Sequence, residues 1–128
     1  MRAIWKPFVL LAVTAAVLAV DRPAAAGEVD VVGVNVVKSQ AGVYRFEVTL
    51  SHADEGWSHY ADRWQVVDDQ GRALGTRVLL HPHVNEQPFT RGKRITLPDG
   101  AAPATVTVRA HDKVHGWGGR ELVVELPE

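Results

Sequence analysis

The chain has 128 residues, with 14 Lys and Arg against 15 Asp and Glu, which gives a formal net charge of −1 at neutral pH. This balance excludes the basic surface that nucleic-acid binding requires. The chain contains no cysteine, and its single methionine is Met1. Any metal site must therefore use imidazole, carboxylate or backbone groups, which rules out a thiolate copper centre.

Residues 1–26 have the pattern of a secretory signal. Two basic residues precede an apolar stretch at residues 7–20, and three alanines end the segment at Ala26. This order of charged, apolar and small-residue zones predicts cleavage after Ala26. The apolar stretch has 14 residues. A membrane-spanning helix needs roughly 20, so we favour a signal over a membrane anchor.

Cleavage would leave residues 27–128 as a single periplasmic or secreted domain without a membrane attachment. Removing three basic residues and one acidic residue changes the net charge to −3. Apolar and polar residues alternate in several short segments of this domain, and no segment has helical spacing. The sequence therefore predicts an all-β fold.

Seven strands are expected. In the clearest, at residues 44–50, every second side chain is apolar, from Tyr44 to Leu50. An edge strand with a bulge near Gly33 precedes it at residues 29–37. The other strands are predicted at residues 60–67 and 73–80, and around residues 95–97, 106–108 and 122–126.

Seven short strands with regular turn signals between them resemble the immunoglobulin-like and fibronectin type III-like β-sandwiches. Trp64 on the third strand and the alternating residues 104–110 on the sixth carry the resemblance. It implies two packed antiparallel sheets over the whole of residues 27–128. The chain lacks the paired cysteines and the corner tyrosine of antibody domains, so no functional residue is carried over.

All six histidines are predicted to lie at one end of this sandwich. Successive antiparallel strands run in opposite directions, so alternate connections fall at the same end. The connections at residues 52–59, 81–92 and 111–119 share one end and contain every histidine, whereas the other three contain none. The topology therefore predicts a histidine cluster.

We expect the first four metal ligands at predicted strand ends, with two further histidines as second choices. The four are His52, His81, His83 and His111, and the second choices are His59 and His115. The glycines at positions 116, 118 and 119 predict a sharp turn or a close approach of the backbone to a neighbour.

Carboxylates and aromatic residues accompany the histidines. The carboxylates are candidate ligands, or acceptors that orient an imidazole, with turn capping as the alternative. They are Asp54, Asp62, Glu86 and Asp112. The aromatic residues are expected to wall the site or simply to close the end of the sandwich. They are Trp57, Tyr60, Phe89 and Trp117.

Imidazole ligands without sulfur favour copper(II) or zinc(II). We therefore expect an exported metal carrier or sensor, whose partners are the metal ion and a periplasmic protein. No His-Glu-x-x-His motif is present, so we do not expect an enzyme. Two alternatives stay open. One is an interaction module that uses the same three loops, and the other is a small metalloenzyme.

Overall fold

The computed structural model describes residues 17–19, 27–97 and 102–128. Their regular structure is all β, as predicted. The strands are β1 (Val17–Ala19), β2 (Asp30–Gln40), β3 (Val43–Ser51), β4 (Ala61–Val67), β5 (Ala73–Val78), β6 (Phe89–Thr96), β7 (Thr105–Asp112) and β8 (Gly116–Glu125). The described ranges contain no helix long and apolar enough to cross a membrane. Apart from β1, the predicted signal lies outside the described residues.

The strands form two antiparallel sheets. One has the order β2-β3-β6 and the other β1-β8-β7-β4-β5. The strands β2 to β8 are the seven that the sequence predicted, and β1 adds three residues to the edge of β8. Contacts of β2 with β7 and β8, and of β5 with β6, join the two sheets. The architecture is compatible with the predicted β-sandwich.

The core consists of the inward-facing residues of both sheets. The predicted inward face of β3, from Tyr44 to Leu50, is buried. It packs in one apolar cluster with Trp64 of β4 and Val108 of β7. The predicted bulge is also present, as a register shift between Val31 and Gly33 on β2, an edge strand. Alternation with a period of two residues thus located the core correctly.

Several elements begin or end elsewhere than the apolar pattern indicated, among them β8, which begins at Gly116 rather than near residue 122. Strand β6 begins at Phe89, well before Ile95. The apolar pattern did not indicate its first part because residues 90–94 are polar or glycine on both faces. As an edge strand, β6 can hold such residues without burying them. Strand β7 extends to Asp112, so His111 belongs to a strand rather than to a loop. The turn signal at residues 98–100 lies outside the described residues.

The three histidine-bearing connections do lie at the same end. The backbone N–H of His83, between β5 and β6, donates to Asp54 in the connection between β3 and β4, at 2.7 Å. The backbone N–H of Lys113, between β7 and β8, donates to the carbonyl oxygen of Tyr60 at 3.2 Å. The connection parity inferred from the strand count is therefore confirmed.

Gly119 brings β8 against the segment that precedes β2. Its φ is +71°, and a Cβ at this position would lie 2.0 Å from the carbonyl oxygen of Val29. Gly116 also has a positive φ, of +73°, at the hairpin between β7 and β8. The sharp turn and the close approach predicted from these glycines are both present.

We expect Gly119→Ala to destabilise the protein much more than Gly71→Ala. Gly71 has a φ of +79°, but a Cβ there would have no neighbour within 4 Å, so alanine meets only the left-handed backbone cost of about 1–2 kcal/mol. Alanine at 119 must also displace the Val29 backbone, which should add about 1–3 kcal/mol. Urea unfolding of both variants measures the difference. Equal losses would contradict the close approach.

Candidate metal centre

Three side chains from three parts of the chain direct donor atoms toward one point. His52 follows β3, His59 lies before β4, and Asp112 ends β7. Their donor atoms lie within 4.8 Å of one another. His52 Nε2 is 3.3 Å from Asp112 Oδ2, and His59 Nε2 is 3.6 Å from Asp112 Oδ1. Ligands of a tetrahedral zinc ion lie about 3.3 Å apart, so this group can hold a metal ion.

The His52 ring is oriented by two oxygen atoms on opposite sides. Its Nδ1 lies 2.5 Å from Asp54 Oδ1, and its Nε2 lies 2.7 Å from the carbonyl oxygen of Gly27. Donation of the Nδ1 proton to Asp54 leaves the Nε2 lone pair facing Gly27 and Asp112. With the ring neutral, only one of its two nitrogens can donate, so the other faces an oxygen atom without a hydrogen bond.

His59 has a similar arrangement. Its Nδ1 bonds the Glu55 carboxylate, and its buried Nε2 has no hydrogen-bond partner among the described residues. The hydrogen bond to Glu55 raises the pKa of His59 above its usual value, against an opposing effect of burial, and the negative charge of Asp112 adds to the rise. The surroundings of this ring therefore favour a positive charge on or beside it.

Asp112 is the acidic member of the group, and strand alternation places it inside. Val108, Ala110 and Asp112 share the inward face of β7, and the Asp112 side chain has no exposed surface. Its Oδ1 accepts hydrogen bonds from the backbone N–H groups of Val114 at 2.7 Å and His115 at 2.5 Å. Burial alone would raise the pKa of Asp112, but these bonds outweigh it and hold the pKa below its usual value.

Asp54 supports the group without pointing at its centre. Its Oδ1 accepts a hydrogen bond from the backbone N–H of Ala61 at 3.0 Å as well as contacting His52, and its Oδ2 accepts from the backbone N–H of His83. One carboxylate thus joins the end of β3, the start of β4 and the connection between β5 and β6. Asp54 thus contacts an imidazole as an orienting acceptor, one of the three roles considered for it, and also accepts backbone hydrogen bonds.

Of the four histidines expected as first-choice ligands, only His52 joins the group. His111 lies on the outward face of β7, with Nδ1 2.6 Å from Asp62 Oδ1. The His83 ring stacks on Phe89 with centroids 3.9 Å apart, and burial and the charge of Arg91 lower the pKa of His83. His81 is exposed and contacts the carbonyl oxygen of Pro82.

The second-choice histidines lie closer to the group. His59 belongs to it, and His115 lies beside it, with ring centroids 5.0 Å apart. His115 Nδ1 is also 3.1 Å from Asp112 Oδ2. The group that could hold a metal ion thus contains His52, a first-choice ligand, His59, a second-choice ligand, and Asp112, a candidate carboxylate.

The remaining carboxylates and aromatic residues make contacts outside the group. Glu86 accepts a hydrogen bond from Arg91 at 3.1 Å, and Asp62 contacts His111. Trp57 is 65% exposed and packs edge-on against the buried Tyr60. The Trp117 ring lies 4.2 Å from the Arg109 guanidinium. These contacts do not form the expected wall around His52, His59 and Asp112.

The sequence did not predict two groups that contact the histidines of this site, namely the Glu55 side chain and the backbone of Gly27. Glu55 precedes His59 by four residues, a spacing that gives no signal outside a helix. Gly27 lies far from the histidines in sequence, and its position follows only from the packing of Val29. For Asp112, in contrast, the alternation of Val106 and Val108 already indicated the inward face of β7.

Comparison with known proteins gives one informative similarity. Over 98 residues, this chain is 44% identical to a protein of Halomicrobium mukohataei named "Putative lipoprotein". The match covers 77% of this chain and 47% of that protein, so the chain spans about half the length of that relative. No family model matches the chain. No solved structure matches it either.

We expect Asp54→Asn to lower the free energy of unfolding by about 1–3 kcal/mol, because an amide NH₂ in place of one oxygen leaves a buried N–H group of Ala61 or His83 unsatisfied. Glu55→Gln is the matched control, since Glu55 also orients an imidazole but its side chain is 69% exposed. The control should change stability by less than about 0.5 kcal/mol. Thermal and urea unfolding of both variants test this expectation, and a stable Asp54→Asn protein would contradict it.

Proposed function

We propose that this protein is an exported carrier or sensor of a divalent transition metal, bound by His52, His59 and Asp112. The orientation of the two imidazoles supports the proposal above all. A carboxylate engages Nδ1 of each ring, which leaves both Nε2 atoms directed at the Asp112 carboxylate. Paired carboxylate and imidazole groups of this kind orient histidine ligands in many metal sites.

The donor set favours copper(II) or zinc(II) as the metal. Two imidazole nitrogens and a carboxylate oxygen suit both ions, and the chain supplies no sulfur ligand. Copper(II) binds nitrogen and oxygen donors more tightly than the other divalent ions of its row, so it is the stronger competitor. Zinc(II) accepts the tetrahedral arrangement that the spacing of the donors allows.

Export is the second part of the proposal. The signal pattern of residues 1–26 and its cleavage after Ala26 would release residues 27–128 into the periplasm or the medium. The similar protein is named a lipoprotein, and lipoproteins are exported proteins, which supports this location. The 128 residues contain no cysteine, the residue to which a lipoprotein's lipid is attached.

The limited access to the group favours a carrier or sensor over an enzyme. The side chains of His52 and Asp112 have no exposed surface, and that of His59 is 13% exposed. A substrate would find little room beside a metal ion held there. The sandwich itself, with three strands facing the β8-β7-β4-β5 sheet, is consistent with the immunoglobulin-like and fibronectin type III-like resemblance, and we propose that assignment for the fold.

We expect His59→Ala to weaken copper(II) and zinc(II) binding by about 10–100-fold or more, since removal of even an outer partner of a metal ligand has effects of that size. His81→Ala is the matched control, because His81 is an exposed histidine at the same end of the sandwich with no contact to the group. Isothermal titration of the two variants, made without a histidine tag, measures both effects. Equal loss in the two variants, or no metal binding by the unsubstituted protein, would favour an interaction module.

Binding should also weaken as the pH falls from 7.5 to 5.5. The metal ion competes with protons for the imidazole nitrogens, and the pKa of His59 is raised above the usual 6.5. The ring therefore gains its proton at a higher pH than an ordinary histidine, and affinity begins to fall from that pH downward. Titrations at several pH values test this, and a dissociation constant independent of pH would exclude histidine ligation.

A further inference from the structure

Gly27 lies in the candidate metal centre although it is remote from the histidines in sequence. Its carbonyl oxygen is 2.7 Å from His52 Nε2. Its Cα faces the His115 ring so closely that a Cβ would lie 2.7 Å from His115 Cε1. Gly27 is also the residue that directly follows the predicted cleavage point after Ala26.

The residues that follow Gly27 hold it in this place. Val29 has no exposed surface and belongs to the core. On either side of it, Glu28 Oε2 accepts a hydrogen bond from the backbone N–H of Gly119 at 3.0 Å, and Asp30 Oδ1 accepts one from the backbone N–H of Arg120 at 2.8 Å. These contacts come from residues after the cleavage point, so they persist when the preceding residues are removed.

We propose that cleavage after Ala26 frees the α-amino nitrogen of Gly27 as a further metal ligand beside His52, His59 and Asp112. This inference rests on the proposed metal-binding function. The nitrogen of a residue lies about 3 Å from its own carbonyl oxygen, so the Gly27 nitrogen lies within reach of a metal ion at His52. Amine and carbonyl oxygen of one residue can also bind the same ion as a chelate.

The uncleaved chain cannot supply this ligand. There the nitrogen of Gly27 is part of a peptide bond, and its lone pair is delocalised into the carbonyl group. Hydrolysis of the bond between Ala26 and Gly27 consumes one water molecule and gives a carboxylate on Ala26 and an amine on Gly27. The full donor set therefore forms only when the chain has been processed, which couples metal affinity to export.

The identity of residue 27 is consistent with this position. A side chain would collide with the His115 ring, and the φ of +93° also disfavours a side chain. Glycine therefore allows the backbone at this position to lie against the His52 and His115 rings. Every other residue type would push His115 away from Asp112, to which its Nδ1 and backbone N–H are directed.

The test compares processed protein before and after modification of its α-amino group. The full 128-residue chain is expressed in an exporting bacterial host, and intact mass establishes that the processed product begins at Gly27. Acetylation near pH 6.5 favours the α-amine, whose reference pKa is about 7.7–8.0 against about 10.4 for lysine. Peptide mapping verifies that Lys38, Lys93 and Lys113 stay unmodified. Copper(II) alone is then titrated into both forms at pH 7.5.

We expect acetylation to weaken copper(II) binding by about 10-fold or more while the unfolding temperature of the metal-free protein is unchanged. Equal affinity of the two forms would overturn the amine ligand and leave the histidine and aspartate site intact. Failure of both forms to bind copper(II) and, in a parallel titration, zinc(II) would overturn the proposed function itself. A processed product that begins at another residue would also overturn the inference.

A spectroscopic measurement separates ligation from any structural effect of acetylation. Processed protein labelled with ¹⁵N-glycine carries the label at the Gly27 amine, whereas the next peptide nitrogen along the chain belongs to Glu28 and stays unlabelled. Electron paramagnetic resonance of the copper(II) form should then show an altered nitrogen coupling pattern relative to unlabelled protein. An identical pattern in the two samples would exclude Gly27 as a ligand.

Discussion

Two carboxylates without exposed side-chain surface, Asp54 and Asp112, determine the arrangement of the histidine end. A buried carboxylate is costly unless hydrogen bonds replace its water. Asp54 obtains two of these bonds from the backbone of Ala61 and His83, and Asp112 obtains two from the backbone of Val114 and His115. Three connections of the sandwich must therefore keep their positions around these two side chains.

The histidines at this end of the sandwich differ in how their two ring nitrogens meet carboxylates. Four imidazoles place Nδ1 within hydrogen-bond distance of a carboxylate: His52, His59, His111 and His115. Contact with a carboxylate alone thus fails to identify a ligand. The direction of the second nitrogen distinguishes the group that could hold a metal ion, because in His52 and His59 it faces the Asp112 carboxylate. His111 lies on the outward face of β7 and packs against Trp117.

The sequence predicted which end of the sandwich carries the histidines, but not which face of its strand or connection each residue occupies. Strand parity depends only on the order of the strands, so it placed all three connections correctly. Whether His111 or Asp112 points inward depends on the alternation of side chains along β7. The prediction placed both residues in a loop, where that alternation does not apply. The position of His59 depends on an irregular connection with a positive φ at Gly56, which no periodic pattern describes. The position of Gly27 could not be predicted for a different reason, since tertiary contacts of residues 28–30 with the core, Gly119 and Arg120 bring it to the site.

The group of His52, His59 and Asp112 is not part of the apolar core, and this separation limits what a bound metal ion would add to the stability of the fold. The apolar cluster is formed by residues of both sheets, and it includes none of the three candidate ligands. The two buried carboxylates already receive backbone hydrogen bonds, so they need no metal ion to compensate their burial. The fold can consequently persist with the metal bound or released, whereas a structural zinc site supplies much of the free energy of folding. Such a fold would allow the reversible occupancy that the proposed carrier or sensor role requires.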